Sequence, residues 1–215
     1  MADQERPKRK YHSKRREEQA RETRRRILAA ARELFTKYGY AGATVEAIAQ
    51  EAGVSPLTIF ATFGNKRSIL AGLIEVSVGG DDRSMPLLER PGPQAVLQER
   101  DPAVQIHKFA KDISNILERV APIFDVMRTA AKTEPEIAEM LKSVLSERFY
   151  NLGRFVQALA TNSRLRDGMD ETRATEIVWA IASPEIYRLL TADRGWSKAQ
   201  FAQWLGDTLI RLLLP

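Results

Sequence analysis

The chain is predicted to be all-α, with about nine helices in two parts: an N-terminal three-helix domain and a larger C-terminal helical domain. Three observations predict it. Apolar residues recur at three-to-four spacing along most of the 215 residues, which is the period of one helix face. No stretch alternates apolar and polar residues as a half-buried strand does. Capping residues, glycines and prolines bracket several of the periodic stretches, as helix starts and stops do.

Helix one is expected from about Thr23 to Tyr38, where Ile27, Ala30, Ala31, Leu34, Phe35 and Tyr38 form one apolar stripe; Gly39 and Gly42 end it. Thr44 is placed to cap helix two, whose inward face is Val45, Ile48, Ala49 and Ala52. Gly53 supplies a conformationally permissive corner, and Val54 closes it. Ser55 caps helix three, with Pro56 at its first position, where the missing amide hydrogen costs nothing. Asn65 caps helix four, which turns Ile69, Leu70, Leu73 and Val76 inward and stops at Gly79-Gly80. It links the two parts, so it is the natural lever between them.

Residues 79–101 form a break rich in Gly, Pro and Asp, with room for a helical turn around Gln94 to Gln98. Asp101-Pro102 opens the next helix, striped by Ile106, Phe109, Ile113, Ile116, Leu117 and Val120. Pro122 is expected to restart the chain in a shorter helix holding Ile123, Phe124, Met127 and Ala130. Thr133 opens a long helix whose stripe runs from Ile137 to Leu159. A helix from about Asp170 to Thr191 is apolar nearly all round, and Pro184 is expected to kink it. The last helix opens with a capping box, Ser197 and Gln200, and Trp196 and Phe201 stand at the hydrophobic staple positions.

Two short helices around a glycine corner are the layout of a helix-turn-helix DNA reader. The run Gly53-Val54-Ser55-x-x-Thr58-Ile59-Phe60-x-x-Phe63-x-x-Lys66 resembles the DNA-binding signature of the TetR family of bacterial transcriptional regulators. The resemblance covers about fifty residues, roughly Thr23 to Leu73. It implies a DNA-binding domain over 23–64 and a ligand-binding and dimerisation domain over 65–215, while composition makes 1–22 a basic arm, disordered in isolation. It implies double-stranded DNA as partner, on a palindromic operator, with helix three in the major groove. The DNA-binding residues would be Arg24, Arg25, Thr44, Ser55, Pro56, Leu57, Thr58, Phe60, Ala61, Thr62 and Lys66. Thr44 and Ser55 at helix N-termini, and Lys66, would hold phosphates, which suits their partial and full positive charge. Phe60 stands where the family usually has Tyr, and Thr62 where His is frequent. Phosphate anchoring is thereby weakened, and Phe60 is free to touch a thymine methyl.

Charge is unevenly placed. Residues 1–26 hold eleven Lys/Arg against five acids, a net of +6, whereas the whole chain is +5, leaving −1 for the rest. With almost no apolar residue before Ile27, the first part of the segment cannot bury itself. Directly before a DNA-binding fold it reads as an electrostatic arm, the alternative being a solvated tail.

The last two helices carry an apolar surplus. The resemblance implies that they pair with their copies in a homodimer through Ile181, Tyr187, Phe201, Trp204, Leu205, Leu209 and Leu212. It also implies a small-molecule effector among the middle helices. Phe109, Ile113, Phe124, Met127, Met140, Val144 and Trp179, with Arg128 or His107 as an orienting partner, could line a pocket for an apolar or aromatic one; an ordinary core is the alternative.

No catalytic or metal constellation is present. His12 and His107 have no ligand spacing, no Ser has a nearby His, and Glu134, Glu136 and Glu139 suit a helix start better than catalysis. No cofactor is implied. There is no cysteine, no apolar run long enough to span a membrane and no apolar signal segment, which together fit a reducing cytoplasm. The function implied is a dimeric repressor released by an effector. An activator or a constitutive DNA binder is the alternative, and an enzyme on a helical scaffold a third.

Overall fold

The computed structural model describes residues 9–215, with side chains from Arg15 onward; the first eight residues of the predicted arm lie outside the described residues. All regular structure among the described residues is helical: α1 (Arg9–Gly42), α2 (Val45–Ala52), α3 (Pro56–Phe63), α4 (Lys66–Gly79), α5 (Pro91–Leu97), α6 (Pro102–Ala130), α7 (Pro135–Asn162), α8 (Glu171–Ile181), α9 (Pro184–Arg188) and α10 (Lys198–Leu213). The chain divides into two compact units, Met1–Leu73 and Ile74–Pro215.

In the first unit, Ile27, Ala31 and Phe35 of α1 are fully buried, as are Ile48, Ile59, Ile69 and Leu70 of the next three helices. Two expectations for α1 are corrected. The helix starts at Arg9, not near Thr23, so the segment expected to be disordered is helical from that point. Its Lys, Arg, Glu, Gln and Ala residues are good helix formers on a helix that the first unit already anchors at its other end. Tyr38 is 54% exposed and lies outside the stripe, under the Lys37 ammonium. The helix is broken where the sequence places its end, at Gly39, whose φ is 71°.

The corner after α2 is a Schellman turn. Gly53 N donates to the Gln50 carbonyl at 3.1 Å and Val54 N to the Ala49 carbonyl at 3.0 Å, with Gly53 left-handed at φ 62°. A Cβ there would also lie 2.7 Å from Arg26 Nη2. Gly53→Ala is therefore expected to destabilise the first unit by about 1–2 kcal/mol from backbone strain alone, read as a lower midpoint in thermal unfolding.

The second unit is built around α6. Its main core joins Ile106, Phe109 and Leu117 of α6, Leu152, Phe155 and Leu159 of α7, Val178 of α8, and Phe201, Leu205, Leu209 and Leu213 of α10. Phe109 stacks on Phe155 with centroids 3.9 Å apart. Pro122 does not restart the chain: α6 runs through it without interruption. The proline is exposed while Val120, Ala121, Ile123 and Phe124 around it are buried. The missing hydrogen bond thus falls on the solvent side, where a helix bends most easily.

Pro184, by contrast, acts as a start, not a kink. α8 ends at Ile181, Ser183 accepts from Ile186 N at 3.2 Å, and Pro184 takes the first position of α9. The Ser197–Gln200 capping box of α10 is formed. The last carbonyls of α4 are held by two arginines. Arg119 Nε donates to Ser77 O at 2.9 Å, and Arg90 Nη1 to Gly79 O at 2.7 Å and to Asp81. Arg83 and Arg90 beside it hold the Asp81 carboxyl well below the usual carboxylate range. These cations supply donors that a helix C-terminus lacks.

Candidate nucleic-acid interface

Thr44 and Ser55 cap α2 and α3: their hydroxyl oxygens accept from Ala47 N and Thr58 N, each at 3.1 Å. Both residues are exposed, so each helix begins at the surface. Burying Ile59 turns the opposite face of α3 outward. Leu57 is 77% exposed and Phe60 48%, and Pro56 and Ala61 are also exposed. The two threonines of the helix are partly buried and internally bonded. Thr58 Oγ1 lies 2.9 Å from Ser55 Oγ, and Thr62 Oγ1 donates to the Thr58 carbonyl at 2.7 Å.

The cations divide by what they touch. Lys66 Nζ donates to the Tyr40 carbonyl at 2.8 Å and lies 4.3 Å from that ring's centroid, tying the start of α4 to the end of α1. Arg24 lies over the Phe63 ring at 4.6 Å, beside Gly72, where a Cβ would be 2.9 Å from its Nη2. Arg25 is more than half exposed, 3.6 Å from Glu22. Arg26, absent from the predicted set, donates to the carbonyls of Ala52 and Gly53 and so closes the corner between the two short helices. No local pattern singles it out among three consecutive arginines.

Several of the residues predicted for an effector fall in two apolar clusters. Phe109 and Trp179 belong to or pack on the main core, and the Arg148 guanidinium lies 5.2 Å from the Trp179 ring. Arg148 also donates to the carbonyls of Trp179 and Ala182, and burial pushes its guanidinium down to about 10. His107 packs on Gly206 of α10, with Nε2 3.8 Å from Asp207. Met127 is fully buried and Met140 partly so. Ile113, Phe124 and Val144 do come together, in a second apolar cluster with Ile116 and Val120. Arg128 pairs with Glu185 over the Phe124 ring, beside a surface hollow of about 280 Å³. Met127→Ala is expected to cost about 2–5 kcal/mol of stability, as truncation in a filled core does, measured by urea unfolding.

The residues predicted for dimerisation divide as well. Phe201, Leu205 and Leu209 are fully buried and Tyr187 is 7% exposed, all within the chain's own core. They are corrected from interface to core, because α10 needs one whole face to pack on α6. Ile181 and Trp204 are half-buried, and Leu212 is 38% exposed.

A capped helix, a Schellman corner and a second capped helix with an exposed outer face define a helix-turn-helix domain of the kind that reads DNA. Residues 27–73 match the bacterial regulatory proteins of the tetR family. The chain is 44% identical over 54 residues to the uncharacterized HTH-type transcriptional regulator YvkB of Bacillus subtilis; the match spans 25% of this chain and 29% of that relative. Among solved structures, PfmR of Thermus thermophilus, a TetR family transcriptional regulator, is 22% identical with a TM-score of 0.66 over 88% of this chain and 99% of that one. NalD of Pseudomonas aeruginosa, the secondary repressor of the MexAB-OprM multidrug efflux pump, is 22% identical with a TM-score of 0.64 over 89% and 96%. FadR of Bacillus subtilis, solved in complex with stearoyl-CoA, is 18% identical with a TM-score of 0.67 over 86% and 96%. At these identities the structural likeness is one of fold. The N-terminal unit carries the helix-turn-helix domain of the tetR family of bacterial regulatory proteins, a match confined to residues 27–73.

Proposed function

We propose that the protein is a homodimeric repressor that binds a palindromic operator through α3 and is released by a small apolar effector. The observation that carries the DNA-binding part is the outer face of α3, four exposed side chains on a helix whose other side is anchored in the domain. Two such helices, one per protomer, would enter successive major grooves about 34–36 Å apart. Thr44, Ser55 and Arg25 are exposed and would take phosphates, as Lys66 would from its fixed position over Tyr40.

The effector part is supported by the second apolar cluster. Around buried Ile116, Val120 and Phe124, the side chains of Val78, Leu87, Ile113, Leu141, Val144 and Leu145 are only partly buried. An apolar lining at the surface of a core, next to the last turn of α4, is a place where a hydrophobic ligand gains by excluding water. The repressor NalD and the acyl-CoA complex of FadR, which share the fold, support this reading. For the dimer, the exposed Leu189 and Leu212 and the half-buried Ile181 and Trp204 replace the buried leucines as contact residues.

The test is fluorescence anisotropy with duplexes selected from a random-sequence library by the purified protein. Tight binding to a selected palindrome, with weak binding to shuffled duplex, is the expected result; equal binding to both would refute sequence-specific regulation. Deleting residues 1–20, which carry seven Lys/Arg and four acids, is expected to weaken binding to every sequence alike. It should also flatten the salt dependence by about 0.9 in log–log slope for each phosphate that the shortened chain no longer neutralises. Unchanged affinity and slope would make the segment a solvated tail.

A further inference from the structure

Resting on the placement of α3 in the major groove, we propose that the protein reads its half-site through the 5-methyl groups of thymine, with Leu57, Phe60 and Ala61 as the specificity-determining residues. Positions 57, 60 and 61 share one face by their spacing along the helix, and all three are exposed. None carries a polar side-chain atom. The helix, PLTIFATF, contains no Arg, Lys, Asn or Gln, the residue types that read guanine or adenine by paired hydrogen bonds. Its two hydroxyl side chains are partly buried and spend hydrogen bonds inside the helix.

Three cations of the flanking helices hold backbone or ring contacts away from this face. Arg26 closes the corner at Ala52 and Gly53, Arg24 lies on Phe63, and Lys66 is held at Tyr40. An apolar face in the major groove has one feature to recognise there, the thymine methyl, which Phe and Ala side chains contact favourably. The same logic accounts for a leucine left 77% exposed on a small domain, since water is a poor partner for it and a methyl-lined groove a good one.

The experiment starts from duplexes selected by the full-length protein. The enriched half-sites are expected to share thymines, and each of these is then replaced singly by uracil, which lacks only the methyl. Affinity is expected to fall about fourfold for each methyl that the helix covers, the worth of one buried carbon group. Replacing such a T·A pair by 5-methylcytosine opposite guanine should restore most of the loss, because no side chain on this face reads the hydrogen-bonding edge. Leu57→Ala and Phe60→Ala, at exposed positions, should keep the melting temperature and lose the preference for thymine over uracil. Uracil duplexes bound as tightly as thymine ones, or variants that keep the preference, would overturn the inference while leaving DNA binding in place. If Leu57→Ala or Phe60→Ala abolishes self-association without changing the thymine preference, the face is a protein contact and the inference fails. A protein that enriches no duplex would overturn the DNA-binding reading itself.

Discussion

Changing Leu205 and Leu209 to Asp is expected to unfold residues 74–215, not to release a folded monomer. Both leucines are fully buried in the core that α10 shares with α6, α7 and α8. Losing each buried leucine costs about 2–5 kcal/mol before any charge is counted. A buried carboxylate without a partner adds several more. Against a typical domain stability of about 5–15 kcal/mol, the double change exceeds what the second unit can absorb. Circular dichroism should show loss of cooperative melting, and sedimentation should show an expanded or aggregated chain. Leu189→Glu and Leu212→Glu, at positions 49% and 38% exposed, form the informative contrast. They should leave the melt intact and, where these faces meet in a dimer, yield a compact monomer with weakened operator binding. A compact monomer from the Leu205 and Leu209 variant would return those residues to the interface.

The second large effect is expected at α3. Leu57→Glu combined with Phe60→Glu should abolish operator binding while leaving the thermal midpoint nearly unchanged. Substitutions at such exposed positions usually move stability by no more than about 0.5 kcal/mol. On DNA the same changes remove apolar contacts worth about 0.8 kcal/mol for each thymine methyl covered. They also bring two carboxylates against a phosphate-lined groove. Together these reduce affinity by at least about a hundredfold. Anisotropy and differential scanning calorimetry on one preparation separate the two effects. Normal binding by the double variant would move the reading surface off α3.

Much of the fold was legible because its signals are short. Thr44, Ser55, Asn65, Asp101 and Ser197 each accept from the backbone three residues on, as their sequence positions promise. The corner at Gly53 is closed by hydrogen bonds across three and five residues. Proline was harder. Pro122 and Pro184 both read as interruptions, yet one lies inside α6 and the other starts α9. What separates them is which side of the helix faces water, and whether a serine stands ready to cap.

The candidate site shows the same division. The exposed face of α3 follows from Ile59 pointing inward, a matter of helical period alone. The assignment of Lys66 and the arginines does not, because their partners are remote: Lys66 reaches Tyr40 and Arg26 reaches Ala52, each 26 residues away. A charge run states how many cations are present, and the packing of α1 against α2 decides which of them points in.

From the sequence alone came the helices, most of their caps, the glycine corner and the family to which the N-terminal unit belongs. These rest on interactions spanning a turn or two, which local composition specifies. The tertiary structure alone decided that Phe201, Leu205 and Leu209 fill the core of their own chain, that Phe109 stacks on Phe155, and that Ile113, Phe124 and Val144 meet in a second, thinly covered cluster. The reason is physical: an apolar stripe requires that a face be covered, but the hydrophobic effect is non-directional. Only the competition among all the stripes for the available surfaces settles what does the covering.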